Sequence, residues 1–255
     1  MSPSEKPERP STLELGSQPP VTRRGFLTST LACAVLGGPT IARHLRQTPR
    51  AESQTGLTPD AALRELVAGN ARFVAEHLTS TDHDLQILRS HTADKQEPFA
   101  GVLACADSRV PVELIFDQSI GRVFVTRVAG NIVTPEIIAS LEYGAAVLGV
   151  KVILVMGHGS CGAVEAALEG KGAPGQISAL YPHLQPAIDQ AGPDLEGTTK
   201  ANAKLQADLL RKPSPVLSGL IKEGKLLILS AYYNIASGEV TLLDQDTDQE
   251  MDTSS

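Results

Sequence analysis

The chain has 255 residues, of which 42% are hydrophobic and 20% charged, enough to bury one sizeable core and too few to require two large domains. Its formal net charge is −7, although residues 1–51 are basic, with seven Lys and Arg against three Glu. The rest of the chain is therefore strongly acidic and shows no basic stripe with interleaved aromatic residues, which argues against a nucleic-acid partner.

Residues 1–51 are predicted to be a leader segment. Residues 1–21 are rich in Pro, Ser and Glu, a composition typical of disorder. Arg23-Arg24-Gly25-Phe26-Leu27 then precedes an apolar run that is too short and too weakly apolar to predict a membrane span. This segment resembles a twin-arginine signal, departing from its usual pattern at Thr28, and so implies export by the twin-arginine translocation machinery to the periplasm or another extracytoplasmic compartment. The alternative is a chance arginine pair before an amphipathic segment.

A folded body is predicted from residue 57 to residue 243, beginning with a helical arm. Thr58 suits the N-cap and Pro59 the first helical position. Apolar residues recur at helical spacing over the next two dozen positions and predict a helix with one apolar face. They are Leu63, Leu66, Val67, Phe73, Val74 and Leu78.

Short apolar runs predict four buried strands in the rest of the body. They are Phe99–Cys105, Val123–Val128, Lys151–Met156 and Leu226–Tyr232. Thr134-Pro135 opens an amphipathic helix between the second and third strands, and such alternation predicts an α/β fold with a mainly parallel central sheet flanked by helices. Residues 233–240 are predicted to turn into an edge strand, and residues 244–255 to form a solvated acidic tail.

Two polar segments follow the first and third predicted strands: Cys105-Ala106-Asp107-Ser108-Arg109 and Gly157-His158-Gly159-Ser160-Cys161-Gly162. Ligands of open α/β folds gather at the carboxyl ends of strands, so both segments are candidate site loops. His158, Cys161 and Cys105 would give zinc one nitrogen and two sulfur ligands and leave its fourth position open. Zinc in such a site lowers the pKa of a bound water towards about 7. Inert buried thiols, or a disulfide between the two cysteines, are the alternatives.

Asp107 and Arg109 strengthen the metal hypothesis. A carboxylate two residues beyond a metal ligand can accept a proton from the zinc-bound water, and Arg109 can keep Asp107 ionised through a charge-assisted pair. An ordinary surface ion pair is the alternative for these two residues. Ser108 is predicted to be the N-cap of a helix over Val110–Phe116.

At these two segments the sequence resembles the β-class carbonic anhydrases, and the resemblance extends from about Leu57 to Leu243. It implies that Cys105, His158 and Cys161 hold one zinc ion per subunit. It also implies that Asp107 and Arg109 form the catalytic dyad that gates and orients the fourth ligand. The sequence departs from the commoner family pattern at Ala106, where serine is frequent, and at Val128, where asparagine is common.

The resemblance further implies substrate-binding residues. Gln96, nine positions before Cys105 and followed by Glu97-Pro98, matches the family's glutamine that hydrogen-bonds bicarbonate. Phe124 and Tyr143 match positions that line the apolar pocket for carbon dioxide, with core packing as the alternative for each. Gln96 also resembles the plant-like subgroup with an accessible site, rather than the subgroup with a bicarbonate-bound closed state.

The implied reaction is the reversible hydration of carbon dioxide to bicarbonate and a proton by zinc-bound hydroxide. The resemblance also implies a homodimer or higher homo-oligomer, in which Gln96 and Phe124 reach across a subunit boundary into the neighbouring site. Two other functions compete with this prediction. One is hydrolysis of carbon disulfide or carbonyl sulfide on the same scaffold. The other is a catalytically silent zinc-binding scaffold, in which an Asp107–zinc bond blocks the fourth position.

Overall fold

The computed structural model describes residues 55–80 and 95–244, which lie in one compact unit of the chain. The predicted leader, with its twin-arginine segment, and residues 245–255 lie outside the described residues. None of the helices in the described ranges is both long enough and apolar enough to cross a membrane.

A five-stranded sheet forms the centre of the fold. Its strands are β1 Ala100–Ala104, β2 Val123–Arg127, β3 Val152–His158, β4 Leu227–Tyr233 and β5 Val240–Leu242. They are arranged in the order β2-β1-β3-β4-β5, and only the β4–β5 pair is antiparallel. The prediction of a mainly parallel sheet is confirmed, with strand bounds within about two residues of those predicted.

Helices connect the strands and cover the sheet. They are α1 Pro59–Val74, α2 Val112–Ile115, α3 Pro135–Ala146, α4 Gly162–Glu169, α5 Tyr181–Ala191, α6 Leu195–Arg211 and α7 Pro215–Lys222. Short 3-10 turns occur at Ala129–Asn131 and Ile177–Leu180. The flanking helices confirm the predicted α/β class.

The core lies on both faces of the sheet, which explains why the central strands are continuously apolar. Alternate residues of β3 point to opposite sides: Leu154 packs with residues of α1 and α2, whereas Ile153 packs with residues of α3, α6 and α7. All seven residues of β3 are buried. Because helices pack on both faces of the sheet, the loops at its strand ends are attached to a rigid structure.

Helix α1 begins where predicted and ends earlier. The Thr58 hydroxyl accepts a hydrogen bond from the Ala61 N–H at 3.2 Å, as expected for an N-cap. The helix stops at Val74, and Glu76 adopts a left-handed conformation with φ of 57°. Val67 and Val74 are about half exposed, so the buried face is narrower than the sequence predicted.

The predicted helix over Val110–Phe116 with Ser108 as its N-cap is wrong. The helix is only α2, and its N-cap position is Pro111, which makes no side-chain capping bond. Residues 107–110 instead form a turn in which the Val110 N–H bonds to the Asp107 carbonyl at 3.1 Å. Val110 precedes a proline, which disfavours helical backbone there.

Asp244, predicted to begin the solvated tail, is bound to the folded body. Its carboxylate accepts hydrogen bonds from Arg211 Nη2 at 2.6 Å and from the Ser230 hydroxyl at 2.8 Å. These bonds tie the end of the described chain to α6 and β4.

Candidate active site

Cys105, His158 and Cys161 converge at the carboxyl end of the sheet. Strands β1 and β3 are neighbours, with Ala104 opposite Met156, so the residue after β1 lies beside the last residue of β3. Cys161 is the N-cap residue of α4. The ligand atoms of the three residues all lie within 4.8 Å of one another, and all three side chains are buried.

The His158 ring has one free nitrogen facing this cluster. Its Nδ1 lies 3.0 Å from the Gly159 carbonyl, a contact that requires a proton on Nδ1. Nε2 then carries the lone pair, and it is buried without a hydrogen-bond partner among the described residues. A backbone carbonyl that orients a metal-binding imidazole in this way is a common arrangement at metal sites.

The Cys105 and Cys161 thiols are free and lie in contact with each other. Their sulfurs lie 4.0 Å apart, far beyond a disulfide bond, so the disulfide alternative does not hold for this structure. The contact with Cys161, together with hydrogen bonds from the backbone of Gly130 and Asp107, lowers the pKa of the Cys105 thiol. The same contact, together with burial, raises the pKa of Cys161. A bound dication would displace the thiol protons and ionise both sulfurs.

These three residues fit a zinc ion. Two sulfurs bound at about 2.3 Å in a tetrahedron lie about 3.8 Å apart, close to the 4.0 Å observed. The orphaned Nε2 of His158 supplies the third donor. Two thiolates and one neutral imidazole form a donor set that zinc prefers, and a zinc ion held by these three residues would have a fourth position for a reactant.

Asp107 and Arg109 form a bidentate ion pair beside the cluster. Arg109 donates to Asp107 Oδ1 from its backbone N–H at 2.9 Å and from Nε at 3.0 Å, and to Oδ2 from Nη2 at 2.8 Å. These bonds hold the pKa of the Asp107 carboxyl well below its usual range. Asp107 Oδ2 lies 3.9 Å from His158 Nε2. An ionised carboxylate therefore adjoins the cluster of Cys105, His158 and Cys161.

Two arginines fix the loop after β1. Arg109 Nη2 also donates to the carbonyl of Ser160, at 3.1 Å, and so links the two site loops. Ser160 has a left-handed backbone with φ of 51°, which directs that carbonyl. Arg127, at the end of β2, donates from Nε to the Cys105 carbonyl at 2.9 Å and from Nη2 to the Asp107 carbonyl. The dyad is thus held at both its side chains and its backbone.

The three predicted substrate-binding residues lie away from this cluster within one subunit. Gln96 is exposed in the segment before β1, at the opposite end of that strand from Cys105. Phe124 is the second residue of β2, and its ring lies 6.4 Å from that of Tyr143 on α3. Tyr143 is 47% exposed. The roles of all three stay predictions, and those of Gln96 and Phe124 require a neighbouring subunit.

Sequence reasoning missed the residues that support the loops. Arg127 is one, because a single arginine after a strand carries no recognisable signal. Asn202 and Gln206 are others: they lie on α6, whose polar composition suggests a solvated helix, yet both are buried. Only the packing of α6 on the sheet reveals them.

Comparison with known proteins agrees with the geometry. A family profile described as Carbonic anhydrase matches residues 100–240. Carbonic anhydrase 2 of Mycobacterium tuberculosis is 35% identical over 198 residues, covering 73% of this chain and 93% of the relative. Carbonic anhydrase of Mycolicibacterium smegmatis is 35% identical over 193 residues, covering 72% and 93%.

Solved structures give the class. The β-carbonic anhydrase CafA of Aspergillus fumigatus superposes with a TM-score of 0.59 at 26% identity, covering 75% of this chain and 93% of that one. A study of two tetrameric β-carbonic anhydrases of Sordaria macrospora provides a second match, with a TM-score of 0.56 at 25% identity, covering 71% and 96%. The chain therefore belongs to the β-class carbonic anhydrase family.

Proposed function

We propose that this protein catalyses the reversible hydration of carbon dioxide to bicarbonate and a proton. The observation that carries the proposal is the convergence of Cys105, His158 and Cys161 beside an ionised Asp107, in a chain of this family. Cys105, His158 and Cys161 are the residues that would hold a zinc ion. When bound, zinc supplies a Lewis acid that makes water nucleophilic at neutral pH.

Asp107 orients the attacking water. Its Oδ1 already accepts two hydrogen bonds from Arg109, whereas Oδ2 accepts one and keeps a lone pair free. An ionised carboxylate only accepts hydrogen bonds, so a water beside Oδ2 must point a hydrogen at it. The water's own lone pair then faces away from Asp107, towards carbon dioxide.

Arg109 keeps Asp107 in this role. Its guanidinium holds the carboxylate ionised and fixes its plane by two parallel bonds, while the contact to the Ser160 carbonyl prevents the arginine from swinging away. Replacing Asp107 with a neutral side chain would therefore change both the charge and the geometry of the Asp107–Arg109 pair.

The test is a stopped-flow hydration assay on the purified chain, with elemental analysis for zinc. We expect one zinc per chain and fast hydration of carbon dioxide. A sulfide-release assay with carbon disulfide runs in parallel. Zinc-loaded protein that released sulfide but did not hydrate carbon dioxide would replace this proposal with the hydrolase alternative.

The active enzyme is proposed to be a homodimer or a higher homo-oligomer. The exposed ring of Tyr143, next to Phe124 at the edge strand β2, supports a subunit boundary there. The Sordaria macrospora relatives are described as tetrameric. In such an assembly Gln96 and Phe124 of one subunit would complete the neighbour's site with a bicarbonate-binding amide and an apolar wall for carbon dioxide.

Residues 1–51 are proposed to direct export through the twin-arginine pathway to an extracytoplasmic compartment. This pathway carries folded proteins, so the thiolates of Cys105 and Cys161 could receive zinc before they meet an oxidising environment. The test replaces Arg23 and Arg24 with lysine and measures the exported fraction by cell fractionation. Undiminished export of this variant would contradict the proposal.

A further inference from the structure

Two carboxamide side chains are buried between α6 and the sheet. Asn202 is completely inaccessible and Gln206 is 2% exposed. Burying an amide without partners costs several kcal/mol, so a buried pair of this kind persists only when it is well bonded. Their partners outside the pair lie in the loop that follows β2 and on α5.

The hydrogen bonds of this pair run in one chain. Asn202 Nδ2 donates to the Gly130 carbonyl at 2.9 Å, and Gln206 Nε2 donates to Asn202 Oδ1 at 3.0 Å. The Val133 N–H donates to Gln206 Oε1 at 2.7 Å, and Gln206 Nε2 also reaches the His183 carbonyl at 3.3 Å. Because the Val133 N–H can only meet an oxygen, the orientation of both carboxamides is determined.

The loop that they hold has an unusual backbone and contacts a metal ligand. Gly130 and Asn131 both have left-handed conformations, with φ of 72° and 42°. For Asn131 this conformation is costly and needs support from its surroundings. The Gly130 N–H donates to Cys105 Sγ at 3.4 Å. The conformation that Asn202 supports is therefore the one that directs an N–H at the sulfur.

Helix α6 is fixed relative to the other site loop. At Gly157, next to His158, an added Cβ would lie 2.9 Å from Thr199 Cγ2 and 3.1 Å from the Thr199 carbonyl. The helix can approach β3 this closely only because residue 157 has no side chain. Asn202 thus reaches the Gly130 loop from a helix seated against the strand that carries His158.

We propose that Asn202, supported by Gln206, is a positioning residue for the metal centre, holding the Gly130–Asn131 turn so that the Gly130 N–H bonds to the Cys105 sulfur. The proposal rests on the proposed zinc site. An N–H···S bond withdraws electron density from a thiolate and fixes its direction, so it sets how the sulfur binds a metal. Partners of this kind typically change metal affinity by 10–100-fold when removed.

The test compares Asn202→Ala with the wild-type full chain in two measurements that need no catalysis. Zinc affinity is measured by competition with a chelator, and we expect a dissociation constant about tenfold higher or more in the variant. Cobalt(II) is then loaded in place of zinc, and the thiolate-to-cobalt charge-transfer band is recorded. It should move to longer wavelength, because a sulfur without its N–H bond donates electrons more readily.

Asn70 offers a matched control. It is also a buried asparagine, 5% exposed, which donates to the Ile115 and Gly238 carbonyls and accepts from the Val240 N–H. It lies on α1, and its hydrogen bonds go to residues other than Cys105, His158 and Cys161. Asn70→Ala removes the three hydrogen bonds of this buried side chain and should therefore lower the stability of the fold. It should keep the zinc affinity and the cobalt band of the wild type.

Three results would count against these assignments. Wild-type zinc affinity and an unmoved band in Asn202→Ala would overturn the positioning role, as would an equal change in Asn70→Ala. A wild-type chain that binds no zinc would overturn the metal centre itself and this role with it. If Asn202→Ala does not fold, Gln206→Met removes the support of Asn202 at nearly constant volume, and a smaller change in the same direction is expected.

Discussion

Two aspartates of this protein have similar chemistry and different surroundings. Asp107 and Asp117 are each bonded to an arginine, and each carboxyl has a pKa held below its usual range. Asp107 lies at the carboxyl end of the sheet with its side chain 18% exposed, whereas the Asp117 side chain is fully buried. The comparison separates a carboxylate available for reaction from one used to hold the fold.

Asp117 uses all its accepting capacity within the protein. Burial opposes its ionisation, but donors outweigh this and lower the pKa: Arg72 Nε at 2.5 Å, the Thr79 N–H and hydroxyl at 2.9 and 2.8 Å, and the Ser80 N–H at 3.0 Å. These bonds join α1 to the turn after α2. Asp107 instead has one principal partner, Arg109, and keeps a lone pair on Oδ2. A lowered pKa alone therefore does not identify a catalytic carboxylate; a free lone pair facing a metal cluster does.

The largest effect is expected at the metal ligands themselves. Cys161→Ser removes one of two sulfurs, so zinc content and hydration activity should both fall to background, while the fold around Asp117 is retained. Elemental analysis, stopped-flow assay and circular dichroism measure the three quantities. Gly162→Ala is the matched control, because a Cβ at that position meets no atom within 4 Å. Zinc retained at full occupancy in Cys161→Ser would remove the metal assignment.

Asp107→Asn should lower the hydration rate by about 10²-fold, because the attacking water loses the carboxylate that orients it. Zinc content should stay at the wild-type level, because Asp107 is not one of the three clustered ligands. The stopped-flow rate per bound zinc is the measurement. An Asp107→Asn rate equal to that of the wild type would contradict a catalytic role for Asp107.

Asp117→Asn should act in the opposite way. The substitution removes a buried charge that four donors require, and we expect a loss of about 3 kcal/mol in the free energy of unfolding. The rate per bound zinc should be unchanged. Urea denaturation followed by fluorescence or circular dichroism gives the first quantity. A fall in rate comparable with that of Asp107→Asn would contradict a purely structural role.

The smallest effect is a pH dependence of that difference. The pKa of Asp117 is lowered on folding, so its contribution to stability is present above the unfolded value of 3.8 and is lost as pH falls towards the folded value. The stability gap between wild type and Asp117→Asn should therefore be constant near neutral pH and shrink below about pH 4. Urea titrations of the metal-free chains at several pH values test this. A gap that widens on acidification would contradict it.

The sequence predicted the parts of the molecule that local pattern determines. The caps at Thr58 and Thr134 and the apolar runs of the four parallel strands were sufficient for the architecture, because a strand buried on both faces must be apolar throughout. The metal-ligand pattern and the family resemblance predicted that Cys105 and His158 converge, and the pairing of β1 with β3, which the sequence did not predict, explains how they do.

Other features depend on contacts that no local pattern encodes. Ser108 was predicted to be an N-cap, but the helix begins later and its N-cap position is Pro111. Asp244 was predicted to lie in a solvated acidic tail, but it accepts hydrogen bonds from Arg211 and Ser230. Asn202 and Gln206 resembled surface residues because polar spacing on a helix does not reveal which face meets another loop. The predicted substrate-binding roles of Gln96 and Phe124 also depend on contacts outside the local sequence, since they need a second subunit.

The placement of Cys105 after β1, and of His158 and Cys161 at and after the end of β3, has a consequence for folding. These strands are adjacent in the sheet but separated in the chain by β2 and α3, so their pairing closes a long loop and is slow compared with local helix formation. The three donor atoms cannot meet before that pairing exists. Metal uptake by this set would thus be a late step, and the binding free energy would reinforce the topology of the whole sheet rather than one loop.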